Sequence, residues 1–167
     1  MTRKFSKRGY DLLTTEINRL WNEERPMVLQ EIHDAALQGD RSENAAYIYG
    51  KQRLRLIDKR LKVLRDKISD VLIIDTDSLP PSEIIDFGAL VTIEDEDGNE
   101  LQLRLVDQEE SDPEKMWVSV QSPMGRALLG KAEGEDFELK LPRGTVNYDI
   151  LHVHYGPDPE ANDEEPS

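Results

Sequence analysis

Between Tyr47 and Val71 the apolar or small positions read Tyr47, Gly50, Leu54, Ile57, Leu61, Leu64, Ile68 and Val71, with charged residues elsewhere. The steps alternate three and four, which is the spacing of a coiled-coil seam on one face of a helix. Upstream, Leu13, Ile17 and Leu20 keep the same rhythm. Val28, Ile32 and Ala35 resume it one residue late. That offset equals a four-residue stutter, which relaxes supercoiling, and Pro26 lies inside it and predicts a kink or a local adjustment. Ser6 is the expected N-cap of the first helix, Gly39 ends it, and Asp40 or Ser42 caps the second. So short a connection makes the helices antiparallel neighbours. At about 1.5 Å per residue, arms of roughly 30 residues give a hairpin about 45 Å long.

After residue 75 the period shortens to that of strands. Ser78-Leu79-Pro80-Pro81-Ser82 reads as a linker. Strands are predicted over Ala89–Glu94, Glu100–Val106, Met116–Val120, Asp136–Leu141 and Val146–Tyr155, with Asp97-Gly98-Asn99 as a hairpin turn. Gly125–Gly130 is expected to form one or two helical turns, and Phe87, Trp117 and Phe137 to supply aromatic core. The fold class is therefore α+β: a helical hairpin over residues 1–77, a small sheet domain over 78–155 and an acidic, Pro-containing tail over 156–167 that reads as disordered.

Composition sharpens this division. The 167 residues carry 21 Lys+Arg against 35 Asp+Glu, a formal net charge of −14. Residues 1–75 hold 15 basic and 12 acidic side chains, whereas residues 76–167 hold 6 and 23. The acidic half argues against nonspecific binding to free nucleic acid, which needs clustered cations. The basic charge of the first half lies mainly in Lys51, Arg53, Arg55, Lys59, Arg60, Lys62, Arg65 and Lys67, and on charge alone this reads first as a solvated helix face. The chain has no cysteine, which excludes disulfides, zinc–thiolate sites and a thiol nucleophile. No apolar run approaches a membrane span, so a soluble, cytoplasmic protein with no membrane partner is expected.

The predicted turn holds the most informative chemistry. Asp40 and Glu43 stand three residues apart at a helix start, followed by Asn44 and Tyr47. One reading is a capping box, in which the carboxylates satisfy the helix N-terminus. The other is a pair of hard oxygen ligands at the end of a long probe, too few to form a magnesium site alone but able to complete another protein's.

The stretch GDRSENAAY (39–47), WNEERP (21–26), FGALV (87–91) and SPMGRALLGK (122–131) resemble the bacterial Gre transcript-cleavage factors, the GreB branch most nearly, in order and spacing from Ser6 to Tyr155. The resemblance implies an N-terminal antiparallel coiled coil and a C-terminal FKBP-like domain. It further implies a monomer that binds bacterial RNA polymerase at the rim of the secondary channel, inserts the coiled coil, and stimulates cleavage of backtracked nascent RNA without being a nuclease itself. By the same resemblance Asp40 and Glu43 would share the second Mg2+ of the polymerase site and orient the attacking water. Ser42, Asn44 and Tyr47 would position them. Lys51, Arg53, Arg55 and Arg60 would face the RNA 3′ end. Ser122, Pro123, Met124, Arg126 and Leu128 would take part in docking. Ala46 departs from the family, many of whose members have an acidic residue before the tyrosine. A channel-blocking inhibitor, an inert coiled-coil interaction module and a prolyl isomerase are the rival readings.

Three further motifs carry less. Gly125–Lys131 matches GxxxxGK, but Ala132 stands where a phosphate-binding loop needs Ser or Thr and the interior is apolar. His152 and His154 share a strand face without evident further ligands. The acidic stretch 94–100 lacks the spacing of a calcium loop.

Overall fold

The computed structural model describes residues 2–39 and 43–159. It forms two compact units, Gly9–Asp70 and a second that joins residues 2–8 to those from Val71 onward.

The first unit is the helical hairpin. Helix α1 (Lys7–Arg19) continues through a five-residue π-helical turn, Leu20–Glu24, into α2 (Arg25–Ala36), and α3 (Ala45–Lys67) returns beside it. Cross-helix ion pairs Glu16–Arg60 at 3.1 Å, Arg25–Asp58 at 2.8 Å and Glu31–Arg53 at 3.0 Å descend on one helix as they ascend on the other, so the two run antiparallel. Their core is narrow: Leu20, Val28, Ile57, Leu61 and Leu64 are buried, with Leu13, Ile17, Ile32 and Leu54 packed against them.

The π turn is the physical form of the late-resuming rhythm. Pro26 has no N–H to offer the carbonyl four residues back. The Arg25 N–H instead reaches Leu20 O, one residue further than in an α-helix. The extra residue returns Val28 and Ala35 to the buried face, so the proline is absorbed without ending the helical run. Gly50 is a close-approach position, since a Cβ there would lie 2.7 Å from Ile32 Cγ1.

The first arm, Lys7–Ala36, has the predicted length, whereas the second is shorter. Helix α3 has 23 residues, about 35 Å of rise. Ile68 lies past its end, Asp70 adopts φ +55°, and Val71 begins strand β2 (Val71–Ile74) rather than closing the seam. Strand β2 pairs in parallel with β1 (Arg3–Ser6), Arg3 opposite Val71 and Ser6 opposite Ile74. The boundary thus falls at 70/71 instead of 77/78, and the first eight residues belong with the sheet unit. Ser6 ends a strand immediately before α1, and its hydroxyl donates to the Glu110 carboxylate.

The second unit is built on a five-stranded mixed sheet in the order β5-β4-β3-β7-β6. Its strands are β3 (Leu90–Asp95), β4 (Glu100–Val106), β5 (Trp117–Ser119), β6 (Asp136–Leu141) and β7 (Gly144–His154), with the short helix α4 (Pro123–Leu128) between β5 and β6. Only β4–β5 is parallel; the other pairs are antiparallel. Ile85, Ala89, Val91, Ile93, Leu103, Leu105, Leu128, Phe137, Leu139, Ile150 and Val153 form one core. Phe87 is also buried, whereas Trp117 is half-buried with the Lys115 ammonium 4.7 Å from its ring. The architecture is α+β, as expected.

Part of the supposed tail is docked. Arg104, buried on β4, donates to Gly88 O at 2.9 Å and pairs with the Asp158 carboxylate. A buried guanidinium needs such partners, and Asp158 fixes residues 156–159 to the sheet; residues 160–167 lie outside the described part of the chain.

Glu110 holds β1 from the other side, accepting from Ser6 N–H at 3.2 Å and Asp107 N–H at 3.3 Å. Burial pushes its carboxyl above the usual range; the Ser6 and Asp107 hydrogen bonds oppose the shift and the nearby Asp107 charge adds to it. A raised folded-state pKa contributes stability that is complete below the unfolded value and lost as pH rises through the folded one. Glu110→Gln keeps the shape and removes the charge. The variant should therefore gain on the native protein as pH rises from about 4 to 7. Thermal unfolding across that range checks it; a gap that widens toward acid would contradict the assignment.

Candidate functional site

The tip is assembled from the last turn of α2 and the first of α3. Leu37 N–H still reaches His33 O at 3.3 Å, and Gln38 N–H reaches Ala35 O at 3.1 Å. Gly39 then turns the chain at φ +141°, a conformation that L side chains rarely adopt. Asp40, Arg41 and Ser42 lie outside the described residues, so the expected roles of Asp40 and Ser42 have no structural account.

Asn44, not Asp40 or Ser42, is the N-cap of α3. Its Oδ1 accepts from Tyr47 N–H at 3.1 Å, and its Nδ2 donates to Ala35 O at 2.6 Å. One carboxamide therefore satisfies an orphan donor of α3 and a terminal carbonyl of α2. A carboxylate caps as well as a carboxamide but has no donor, which is why Asn suits this bridge. Glu43 stands one residue before the cap, exposed and outside the helix. It is not the third residue of a capping box, so its position is not explained by helix termination. Ala46 is exposed in the first turn, and Tyr47 is half-buried with the Lys51 ammonium 5.9 Å from its ring.

The four basic candidates divide. Arg53 is tied to Glu31, and Arg60 holds Glu16 through two nitrogens at 3.1 and 3.4 Å. Lys51 and Arg55 are exposed and make no ion pair among the described residues. Trp21, on the π turn, is 47% exposed with the Arg25 and Arg65 guanidiniums 5.0 and 5.1 Å from its ring. Its surroundings are those of a side chain packed between cations.

In the segment 122–131, Ser122 caps α4, accepting from Gly125 N–H at 3.1 Å and donating to Ser119 O at 2.6 Å. Pro123 occupies the first turn, where its missing N–H costs nothing. A Cβ on Gly125 would lie 2.1 Å from Ser119 O, so α4 can press on that backbone only with glycine there. Leu128 is fully buried and Met124 packs against the same core, which leaves Pro123 and Arg126 as the exposed members of the docking set. This helix replaces any phosphate-binding loop.

An open groove of about 340 Å³ adjoins Leu129 and is lined also by Arg3, Lys4, Asp86, Phe87 and Asp107. The contribution of Arg3 and Lys4 had no signal in periodicity, because four residues are too few to show one. His152 lies 3.5 Å from Glu133, His154 Nε2 lies 2.9 Å from Pro157 O, and the two rings stack at 6.5 Å. Asp95 accepts from the amides of Asp97 and Asn99, both at 2.9 Å, and the Asn99 amide above all holds its carboxyl below the usual range. The acidic stretch is thus a hairpin turn. Among the described residues no group of three or more His, Asp or Glu side chains is placed to hold a metal, and no helix is long and apolar enough to cross a membrane.

A helical hairpin with the Glu43 carboxylate exposed at its turn, on a chain that also carries a small mixed-sheet unit, defines a two-unit α+β protein. Residues 4–73 match the family described as "Transcription elongation factor, N-terminal" and residues 80–155 that described as "Transcription elongation factor, GreA/GreB, C-term". The chain belongs to the GreA/GreB family of transcription elongation factors. It is 42% identical over 152 residues to "Transcription elongation factor GreB" of Yersinia pestis, covering 91% of this chain and 88% of that protein. It is 38% identical over 151 residues to "Transcription elongation factor GreA" of Nitratidesulfovibrio vulgaris (strain DP4), covering 90% and 91%. The crystal structure of GreA factor homolog 1 (Gfh1) of Thermus thermophilus matches over 92% of this chain and 99% of its own at 27% identity, with a TM-score of 0.41.

The double duty of Asn44 is open to test. Asn44→Ala should destabilise the hairpin by about 1–2 kcal/mol, and Asn44→Asp, ordinarily as good a cap, should also be destabilising because it cannot donate to Ala35 O. Hydrogen exchange at the amides of residues 45–50 checks both. Native-like protection in Asn44→Asp would remove the bridge.

Proposed function

We propose that this factor binds bacterial RNA polymerase through its secondary channel and stimulates cleavage of backtracked nascent RNA by the polymerase itself, as an accessory factor and not a nuclease. The observation that carries the reading is Glu43: a carboxylate set outside the helix, exposed, one residue before a cap that another side chain already supplies. Family membership supplies the setting.

Asp40 and Glu43 are oxygen donors of the kind magnesium takes, and as two of the six it needs they fit a shared ion rather than a resident one. When bound, such an ion supplies charge stabilisation and an activated water for phosphodiester hydrolysis. The chain's own residues do the rest. Glu43, with Asp40, brings negative charge to the reacting centre. Asn44 ties the two helices behind it, and Tyr47 receives the cap and anchors the first turn of α3. Lys51 and Arg55 are exposed cations for RNA phosphates, whereas Arg53 and Arg60 mainly hold the arm together. Docking falls to the second unit, with Pro123 and Arg126 as its exposed residues in the expected segment.

Stalled, backtracked elongation complexes test this. The native factor should release short 3′ RNA fragments, and the Asp40→Asn/Glu43→Gln variant should bind the polymerase equally well yet lose at least about tenfold in cleavage rate. If neither releases fragments and both slow elongation, the factor is a channel blocker.

A further inference from the structure

The first turns of α3 carry two tyrosines in different settings. Tyr47 is half-buried and belongs to the tip's framework, whereas Tyr49 is 62% exposed. Tyr49 is four residues into α3, about 6 Å of rise from its first residue, so it stands beside the tip. The Arg53 guanidinium, one turn on and on the same face, lies 5.9 Å from the Tyr49 ring centre. Arg53 is not free to wander, because Glu31 of α2 holds its Nη1 at 3.0 Å. An exposed ring with a fixed guanidinium beside it differs from Trp21, where two guanidiniums already flank the indole.

The structure leaves the Tyr49 ring in solvent, at a cost in unburied apolar surface. Unpaired bases present flat faces, and aromatic side chains paired with arginine are the usual means of holding them without regard to sequence. We infer that Tyr49, pre-positioned with Arg53, is a stacking platform for one unpaired base of the RNA strand on which the tip acts. The inference rests on the reading of the tip given above and adds a specific contact to it: the base, not the phosphate, is what this residue recognises. Sequence tolerance follows, because every base has a stacking face. A polar handle is not required, so the phenolic hydroxyl is dispensable.

Backtracked complexes with an abasic nucleotide at each extruded position in turn separate the possibilities. On intact RNA, Tyr49→Leu should cut about tenfold more slowly than the native factor, while Tyr49→Phe keeps the native rate. One abasic position should slow the native factor by a similar ratio and leave Tyr49→Leu no slower than before. In the Glu43→Gln complex at low magnesium, where cutting is slow, 4-thiouracil at that same position should photocrosslink to the peptide that contains Tyr49. Native rates for Tyr49→Leu, insensitivity of the native factor to every abasic position, or losses that multiply on combination would each overturn the platform. If Glu43→Gln cuts as fast as the native factor, the reading of the tip fails and the platform falls with it. If Glu43→Gln is slowed and Tyr49→Leu keeps the native rate, the platform alone fails.

Discussion

The arm depends on a small apolar seam between its two helices. Five buried residues, Leu20, Val28, Ile57, Leu61 and Leu64, hold two long helices together, with surface ion pairs on the flanks. Exposed pairs of that kind contribute little individually, so the register of the apolar contacts decides whether the hairpin stays paired. Pro26 threatens that register at its middle. The π turn converts a missing donor into one added residue, and the added residue is what returns Val28 and Ala35 to the seam. Gly50 then lets the helices close on Ile32 just before the tip.

At the tip, helix termination and the proposed chemistry fall on different side chains. Asn44 terminates both helices with one carboxamide. Glu43 is thereby released from capping, the role its spacing from Asp40 otherwise suggests. An exposed carboxylate beside the cap but unused by it is what the proposed shared metal would require. The same economy appears in the second unit, where Ser122 and Gly125 let α4 sit tightly on the chain around Ser119, so that Leu128 fills the core while Pro123 and Arg126 stay outside.

Much of this was legible in the order of residues. The heptad steps marked α3, strands Glu100–Val106 and Asp136–Leu141 begin and end where alternation placed them, and the Asp-Gly-Asn turn joins β3 to β4. The late rhythm around Pro26 marked the π turn without naming it. What escaped had physical reasons. Val71 falls on the seam spacing, yet it heads an apolar, β-branched run that finds β1, a partner distant in sequence. Asp40, Ser42 and Asn44 are all good caps, and only the position of Ala35 O selects among candidates so close together. Composition read residues 156–159 as disordered because it weighs averages, whereas one buried guanidinium, Arg104, recruits a single aspartate from that stretch. Spacing brought out Glu43 and Tyr47, but Tyr49 emerged only from its exposure and from Arg53 beside it.

The claim at the centre of this account is that the tip supplies carboxylate ligands to a metal held mainly by another protein. Its most direct test is the magnesium dependence of RNA cleavage in backtracked complexes, compared between the native factor and Glu43→Gln. The account predicts that the native factor lowers the magnesium concentration needed for half-maximal cleavage and that the variant raises it, with part of the lost rate recovered at high magnesium. An equal magnesium requirement in both, with only the maximal rate changed, would contradict a ligand role and leave Glu43 as a residue of the arm's shape.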